Sequence, residues 1–319
     1  MASRWNTRGP GPSPKTPSIA GHWHQILDRQ AIRDPEITQS RNPQVVDHCF
    51  FRAASGAWQA WVQVRDTTVG RVFTRWEQAG RLTDAPWRYE GICWQADQKA
   101  GESVGTGSEE KPHVIQAPFV LHDRDRYVLV YGGGPVDPGD TTRQVCMATS
   151  QDGIEFVRTK DALGRSRIAV GPCHASDAFL FKQDDAYYLY TCAAYHDTGS
   201  ARSALTVRRS VDLEHWSEPT VAHAGGTCGT HTHSSQSEYV LFRDGLFYLF
   251  IMGWSNDLRT AVYWSTDPTD FGEGDQYLVT VLPVSAAEII EFEGRYWISS
   301  LVLPGYNGIR IAPLTWTGT

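Results

Sequence analysis

The sequence has little of what marks most other classes of protein. None of its 319 residues fall in a stretch approaching the ~20 apolar residues of a membrane span, so no membrane partner is expected. The opening residues, MASRWNTRGPGPSPKTPS, lack the apolar core of a secretory leader, and the chain reads as cytoplasmic. The formal net charge of -7 is spread along the sequence with no long basic run, which argues against nucleic acid as a partner. Six cysteines are widely spaced and form no CxxC pair, which excludes a zinc ribbon or a redox motif. Most sit in apolar runs such as Val145-Cys146-Met147-Ala148, where a reduced thiol acts as a small hydrophobe. Helical periodicity is missing outside short connections.

What is present is material for a core. Hydrophobic residues make up 41% of the chain and aromatics 12%, enough for a globular all-β fold in one domain. The 12 Trp and 13 Tyr exceed what a core needs, and flat aromatic faces suit sugar rings.

Laid against itself, the chain repeats. Five short apolar runs recur: Val46–Phe51, Ala117–Leu121, Ser176–Phe181, Ser237–Phe242 and Ala287–Phe292. Each is followed by a polar turn, such as Asp123-Arg124-Asp125 or Arg243-Asp244-Gly245, and then by an aromatic-rich run, such as Tyr127–Tyr131 or Leu246–Phe250. These are hairpin signals. In three cases a third run ends in a Ser/Thr–Asp turn, Ser150-Gln151-Asp152, Ser210-Val211-Asp212 and Ser265-Thr266-Asp267, with Phe156, Trp216 or Phe271 close behind. Units of three or four strands repeated five times predict an all-β, five-bladed β-propeller over residues 21–319, with residues 1–20 a Pro-rich, flexible arm. A strand within Gly21–Ile26 is expected to close the ring against the last blade.

In a propeller the first strand of each blade lines the axis. The expected equivalent positions at its mouth are Asp47, Pro118, Asp177, Glu238 and Glu288, four of them acidic. Clustered carboxylates repel one another, so this gathering points to a site rather than to scaffold.

The blade pattern over residues 40–316, with these acids on blades I, III and IV, resembles family 43 glycoside hydrolases and, more distantly, the family 32 and 68 fructosidases. The local strings differ: Asp47 precedes His48 with no Asp-Pro, and blades III and IV read Ser176-Asp177-Ala178 and Ser237-Glu238-Tyr239. The resemblance implies a glycoside hydrolase acting on an oligosaccharide, with a furanoside such as an arabinofuranoside among the candidates. It makes Glu238 the acid that protonates the leaving oxygen, Asp47 the ionised carboxylate and Asp177 the residue that orients substrate and tunes the acid. The missing Asn-Asp-Pro-Asn-like string around Asp47 tilts the expectation towards inversion. Gln236 takes the place of the acid if the register of blade IV shifts.

Histidine is concentrated beside these acids: His48, His174, His231 and His233. His48, His174, His233, Gln236, Glu288, Trp254 and Arg259 are the expected substrate-binding residues, reaching sugar hydroxyls or stacking on a ring. Trp76, Trp94 and Tyr306 are further stacking candidates, and Arg65 and Arg71 further partners for an acidic sugar. No metal ligand and no cofactor is assigned, although some family 43 enzymes hold an ion at the axis on a histidine, so a structural calcium or other ion there stays open. Gly132-Gly133-Gly134 lacks the P-loop pattern and is expected to be an irregular loop beside the mouth. Two alternatives stay open: a polysaccharide lyase or other carbohydrate-active enzyme with a His or Tyr base, and a non-catalytic sugar-binding propeller.

Overall fold

A computed structural model describes residues 13–102, 113–134, 144–170, 175–197, 200–231, 234–253 and 257–318. Two N-terminal strands come first, β1 (Thr16–Ile19) and β2 (His24–Asp28), and the remaining strands form blades in chain order. Blade I is β3 (Gln44–Arg52), β4 (Trp58–Thr67), β5 (Gly70–Gln78) and β6 (Arg88–Trp94), with β7 (His113–Val114) parallel to β5. Blade II is β8 (Gln116–Asp123), β9 (Arg126–Gly133), β10 (Gln144–Ser150) and β11 (Val157–Arg158), with β12 (Arg167–Val170) also on β10. Blade III is β13 (Ala175–Gln183), β14 (Ala186–Asp197), β15 (Ser200–Ser210) and β16 (Thr220–His223). Blade IV is β17 (Gln236–Arg243), β18 (Leu246–Gly253), β19 (Arg259–Ser265) and β20 (Leu278–Leu282). Blade V is β21 (Ile289–Phe292), β22 (Arg295–Leu301) and β23 (Gly308–Thr317).

The ring closes as expected, by the N-terminus joining the last blade: both β1 and β2 run antiparallel to β23. The pairing begins at Thr16, inside the segment assigned to the arm, and Ser18 Oγ meets Thr315 Oγ1 at 3.0 Å. Both flanks of β23 are thereby covered, so the closing blade has no bare edge along that strand.

The core is divided among the blade junctions. Five clusters of buried side chains lie between blades V and I, I and II, II and III, III and IV, and IV and V. Second strands supply much of each cluster because both of their faces meet a neighbouring blade; β18 (Leu246–Gly253) is buried at every position. Fully burying one such aliphatic or aromatic side chain contributes about 1.5–3 kcal/mol.

The Ser/Thr–Asp turns recur as the repeat predicts. Asp152 Oδ1 accepts from the N–H groups of Ile154 and Glu155, and Asp212 Oδ1 accepts from those of Glu214 and His215. Asp267 Oδ1 accepts from the Thr269 N–H. The aromatics behind the turns fold back into the core: Phe271 is fully buried and Phe156 packs edge-on against Trp61. These Asx-type bonds satisfy backbone donors where the sheet ends.

The five described cysteines, Cys49, Cys93, Cys146, Cys192 and Cys228, are free thiols. Among the described residues no helix is long and apolar enough to cross a membrane.

Candidate active site

The innermost strand of every blade breaks register at the same place. Val46-Asp47, Ala117-Pro118, Asp177-Ala178 and Ser237-Glu238 each insert two residues opposite one on the second strand. In blade V, Ala286-Ala287 do the same, since the Ser299 N–H donates to Glu288 O and the Leu301 N–H to Ser285 O. These are β-bulges, and they aim side chains off the sheet towards the axis. The first bulge residue is left-handed in blades II to V: φ is 48° at Ala117, 52° at Asp177, 49° at Ser237 and 51° at Ala286. Non-glycine residues hold that conformation at a cost of roughly 1 kcal/mol or more each, a strain that clusters at functional sites.

The bulges correct the alignment expected from sequence. Asp47, Pro118, Ala178, Glu238 and Ala287 are the true equivalents, as second bulge residues. Asp177 stands one residue earlier in its bulge, and Glu288 one residue past its own. A string of letters does not show which strand carries the extra residue, because a bulge changes pairing without changing the apolar pattern.

All four acids nevertheless reach one cavity of about 320 Å3, its open mouth included, walled also by Pro118, Ser237 and Ala286. Beneath them the residues just past the bulges form a floor. Phe119 and Phe179 line the cavity with ring centroids 4.3 Å apart, His48 lines it from the same position in blade I, and Tyr239 packs behind Phe179 at 4.7 Å.

Glu238 is 2% exposed, and neither of its carboxyl oxygens has a hydrogen-bond partner among the described residues. Burial, then the charges of Asp177, Asp47 and Glu288, push its pKa well above the usual carboxylate range. Glu288 is raised likewise, by burial and by Asp47. Asp47 is also raised by burial, but Arg65, Arg71 and a hydrogen bond from Ser237 Oγ at 3.3 Å pull it back. Asp177, 5% exposed, accepts from Gln116 Nε2 at 3.0 Å. The site thus gathers carboxyls whose pKa values burial raises, with Arg65 and Arg71 opposing that rise at Asp47 alone, so the acidities are pushed apart as acid–base chemistry needs.

The residues expected to bind substrate are distributed differently. His48 lines the cavity, yet its ring is engaged by the scaffold: Nδ1 lies 3.2 Å from Val46 O and Nε2 2.8 Å from Ser299 Oγ. A carbonyl only accepts, so Nδ1 carries the proton and the Ser299 hydroxyl donates to Nε2. Ser299 Oγ in turn accepts from the Glu288 N–H at 2.9 Å. Burial lowers the His48 pKa to about 4, which keeps the ring neutral. Gln236 ends the paired stretch ahead of its bulge, opposite Met252, and Arg259 opens β19 at an exposed position. His174, His233 and Trp254 lie outside the described residues.

Trp76 and Trp94, expected as stacking platforms, are core residues; Trp76 is 2% exposed and Trp94 packs under the Arg158 guanidinium. Tyr306 carries the Arg65 guanidinium 5.3 Å above its ring. Arg65 donates to Gln44 and Arg71 to Gln116. Gly132 and Gly133 continue β9 in pairing with β10 rather than forming a loop, and they are glycine where Gln116 and Cys146 fill the space that side chains would take. Among the described residues no three His, Cys, Asp or Glu side chains converge as a metal ion requires, and both nitrogens of His48 are committed.

Sequence reading missed Gln116, Ser237 and the aromatic floor. The available signal was the glutamine one step ahead of the bulge in blades II and IV, Gln116 and Gln236 alike.

No protein-family model and no curated protein matches the chain. Solved structures do. A family 43 glycoside hydrolase from Xanthomonas citri complexed with xylotriose is 16% identical, with a TM-score of 0.63 over 90% of this chain and 93% of that one. A family 43 β-xylosidase/α-arabinofuranosidase from a compost microbial metagenome, in a calcium-free complex with xylotriose, is 13% identical, with a TM-score of 0.61 over 94% of each chain. A family 117 glycoside hydrolase of Zobellia galactanivorans is 12% identical, with a TM-score of 0.61 over 95% of this chain and 90% of that one. The chain has the five-bladed β-propeller fold that these glycoside hydrolases share.

Proposed function

We propose that the protein is a glycoside hydrolase that cleaves an oligosaccharide by inversion, with Glu238 as general acid, Asp47 as general base and Asp177 as the residue that tunes the acid. The observation that carries this reading is Glu238: a buried carboxyl without a hydrogen-bond partner among the described residues, raised in pKa, on the wall of an open cavity that also holds Asp47 and Asp177. Such a group keeps its proton until a glycosidic oxygen arrives to take it.

The reaction then balances simply. Glu238 gives its proton to the leaving oxygen as the anomeric C–O bond breaks. Asp47 takes a proton from water, whose oxygen bonds to the anomeric carbon from the opposite face. Inversion needs room for that water, with carboxyls ~6.5–9.5 Å apart against ~5–5.5 Å for retention. His48 is held neutral and bonded to Val46 and Ser299, which leaves a histidine-based lyase without its base at this position.

For the substrate we propose a short pentose oligosaccharide, tested first with α-arabinofuranosides and β-xylosides. Support comes from two neighbours, each in complex with xylotriose, one of them a β-xylosidase/α-arabinofuranosidase. The test is a screen of chromogenic furanosides and pyranosides, followed by NMR of the first-formed anomer. Net retention overturns the inverting assignment. Turnover by Glu238→Gln at the wild-type rate on an unactivated oligosaccharide overturns the role of Glu238.

A further inference from the structure

Gln116 is 5% exposed and sits one residue ahead of the bulge of blade II. Its side chain joins two others in a line across three blades. Arg71 Nη1 of blade I donates to Gln116 Oε1 at 2.5 Å, and Gln116 Nε2 donates to Asp177 Oδ1 of blade III at 3.0 Å.

The chemistry of this line has a direction. A guanidinium only donates, so it takes the oxygen end of the amide. That leaves the NH2 end facing Asp177, where it meets an oxygen able to accept. Arg71 at one end and Asp177 at the other therefore fix which way Gln116 points, and Gln116 holds one oxygen of the Asp177 carboxylate.

The neighbouring strand makes room for the arrangement. Gly132 pairs with Gln116, and a Cβ on Gly132 would lie 2.8 Å from Gln116 Cγ. Part of the Gly132-Gly133-Gly134 string is thus accounted for: any side chain at Gly132 displaces Gln116.

We infer that Gln116, oriented by Arg71 and given room by Gly132, is a positioning residue that fixes the Asp177 carboxylate on the cavity wall, where its charge bears on Glu238. The consequence for turnover rests on the glycosidase reading above; the placement of Asp177 does not. Without Gln116 the Asp177 carboxylate loses a donor to Oδ1, which favours its turning from that position or its protonated form. Both changes remove negative charge from beside Glu238, so Glu238 loses its proton at lower pH.

The experiment uses the full chain with 13C-labelled carboxyl carbons and follows the titration of Glu238 by NMR without substrate. It compares wild type, Gln116→Leu, Gly132→Ala and, as reference, Asp177→Asn. The expected result is a fall in the Glu238 midpoint on the order of one pH unit in Gln116→Leu, in the same direction as in Asp177→Asn, with a smaller fall in Gly132→Ala. With an active substrate, the basic limb of kcat/KM moves down by the same amount, and kcat falls about tenfold or more with little change in KM.

A Glu238 titration unmoved by Gln116→Leu overturns the inference, and so does one unmoved by Asp177→Asn. If Gln116→Leu does not fold, Gly132→Ala, which keeps every polar group, decides in the same way. A midpoint that shifts in a protein that hydrolyses no glycoside supports the positioning role and sinks the glycosidase reading.

Discussion

Ser237 of blade IV donates a hydrogen bond to Asp47 of blade I across 3.3 Å, although 190 residues separate them in the chain. Both belong to bulges, so the mouth is assembled from the irregular part of each blade rather than from its regular pairing. The same irregularity brings Asp177 and Glu238 to one cavity from different bulge positions.

Stability should depend on pH with opposite slopes from two groups. His48 has a folded pKa of about 4, below its ordinary 6.5, so its contribution is present above pH 6.5 and is lost as pH falls through 4. The full effect of such a shift is roughly 3 kcal/mol. Glu238 is raised, so its contribution is present below its ordinary 4.5 and is lost as pH rises through the folded value. Denaturant midpoints measured across pH should fall on both sides. His48→Gln should flatten the acid side and Glu238→Gln the basic side; unchanged slopes in either variant would contradict the corresponding assignment.

Ser299 is fully buried and serves two partners, accepting from the Glu288 N–H and donating to His48 Nε2. Ser299→Ala strands one donor and one acceptor. A loss of about 1–3 kcal/mol is expected, read as a lower midpoint in chemical denaturation. Ser299→Thr keeps the hydroxyl and should recover part of it.

Ring closure depends on Gly308, which pairs with Asp28 where β2 docks on β23. A Cβ there would lie 2.1 Å from the carbonyl oxygen of Leu27. Gly308→Ala should destabilise the protein by about 3 kcal/mol, with calorimetry as the measurement. A melting temperature equal to that of wild type would show that β2 can shift without loss.

Glu238→Gln should lower kcat by about 100-fold or more on an oligosaccharide with a poor leaving group and by far less on a nitrophenyl glycoside, which needs little proton donation. Affinity for substrate, measured by calorimetric titration, should persist in the variant. Equal losses on both substrates would argue against an acid role.

The sequence by itself determined the repeat and hence the architecture. A hairpin is a local object, and Tyr127–Tyr131 or Leu246–Phe250 show their alternation and turns without reference to the rest of the chain. It also determined the set of acids, because Asp47, Asp177, Glu238 and Glu288 each stand near the start of a blade. Their arrangement was decided by tertiary structure. Which residue bulges depends on pairing with the second strand, so sequence could not show Asp177 one step early or Glu288 one step late. His48 is engaged by Ser299, 251 residues away, and Gln116 by Arg71 and Asp177 from two other blades. Such contacts exist only once the ring has closed, and they decide which polar side chains belong to the scaffold and which face the cavity.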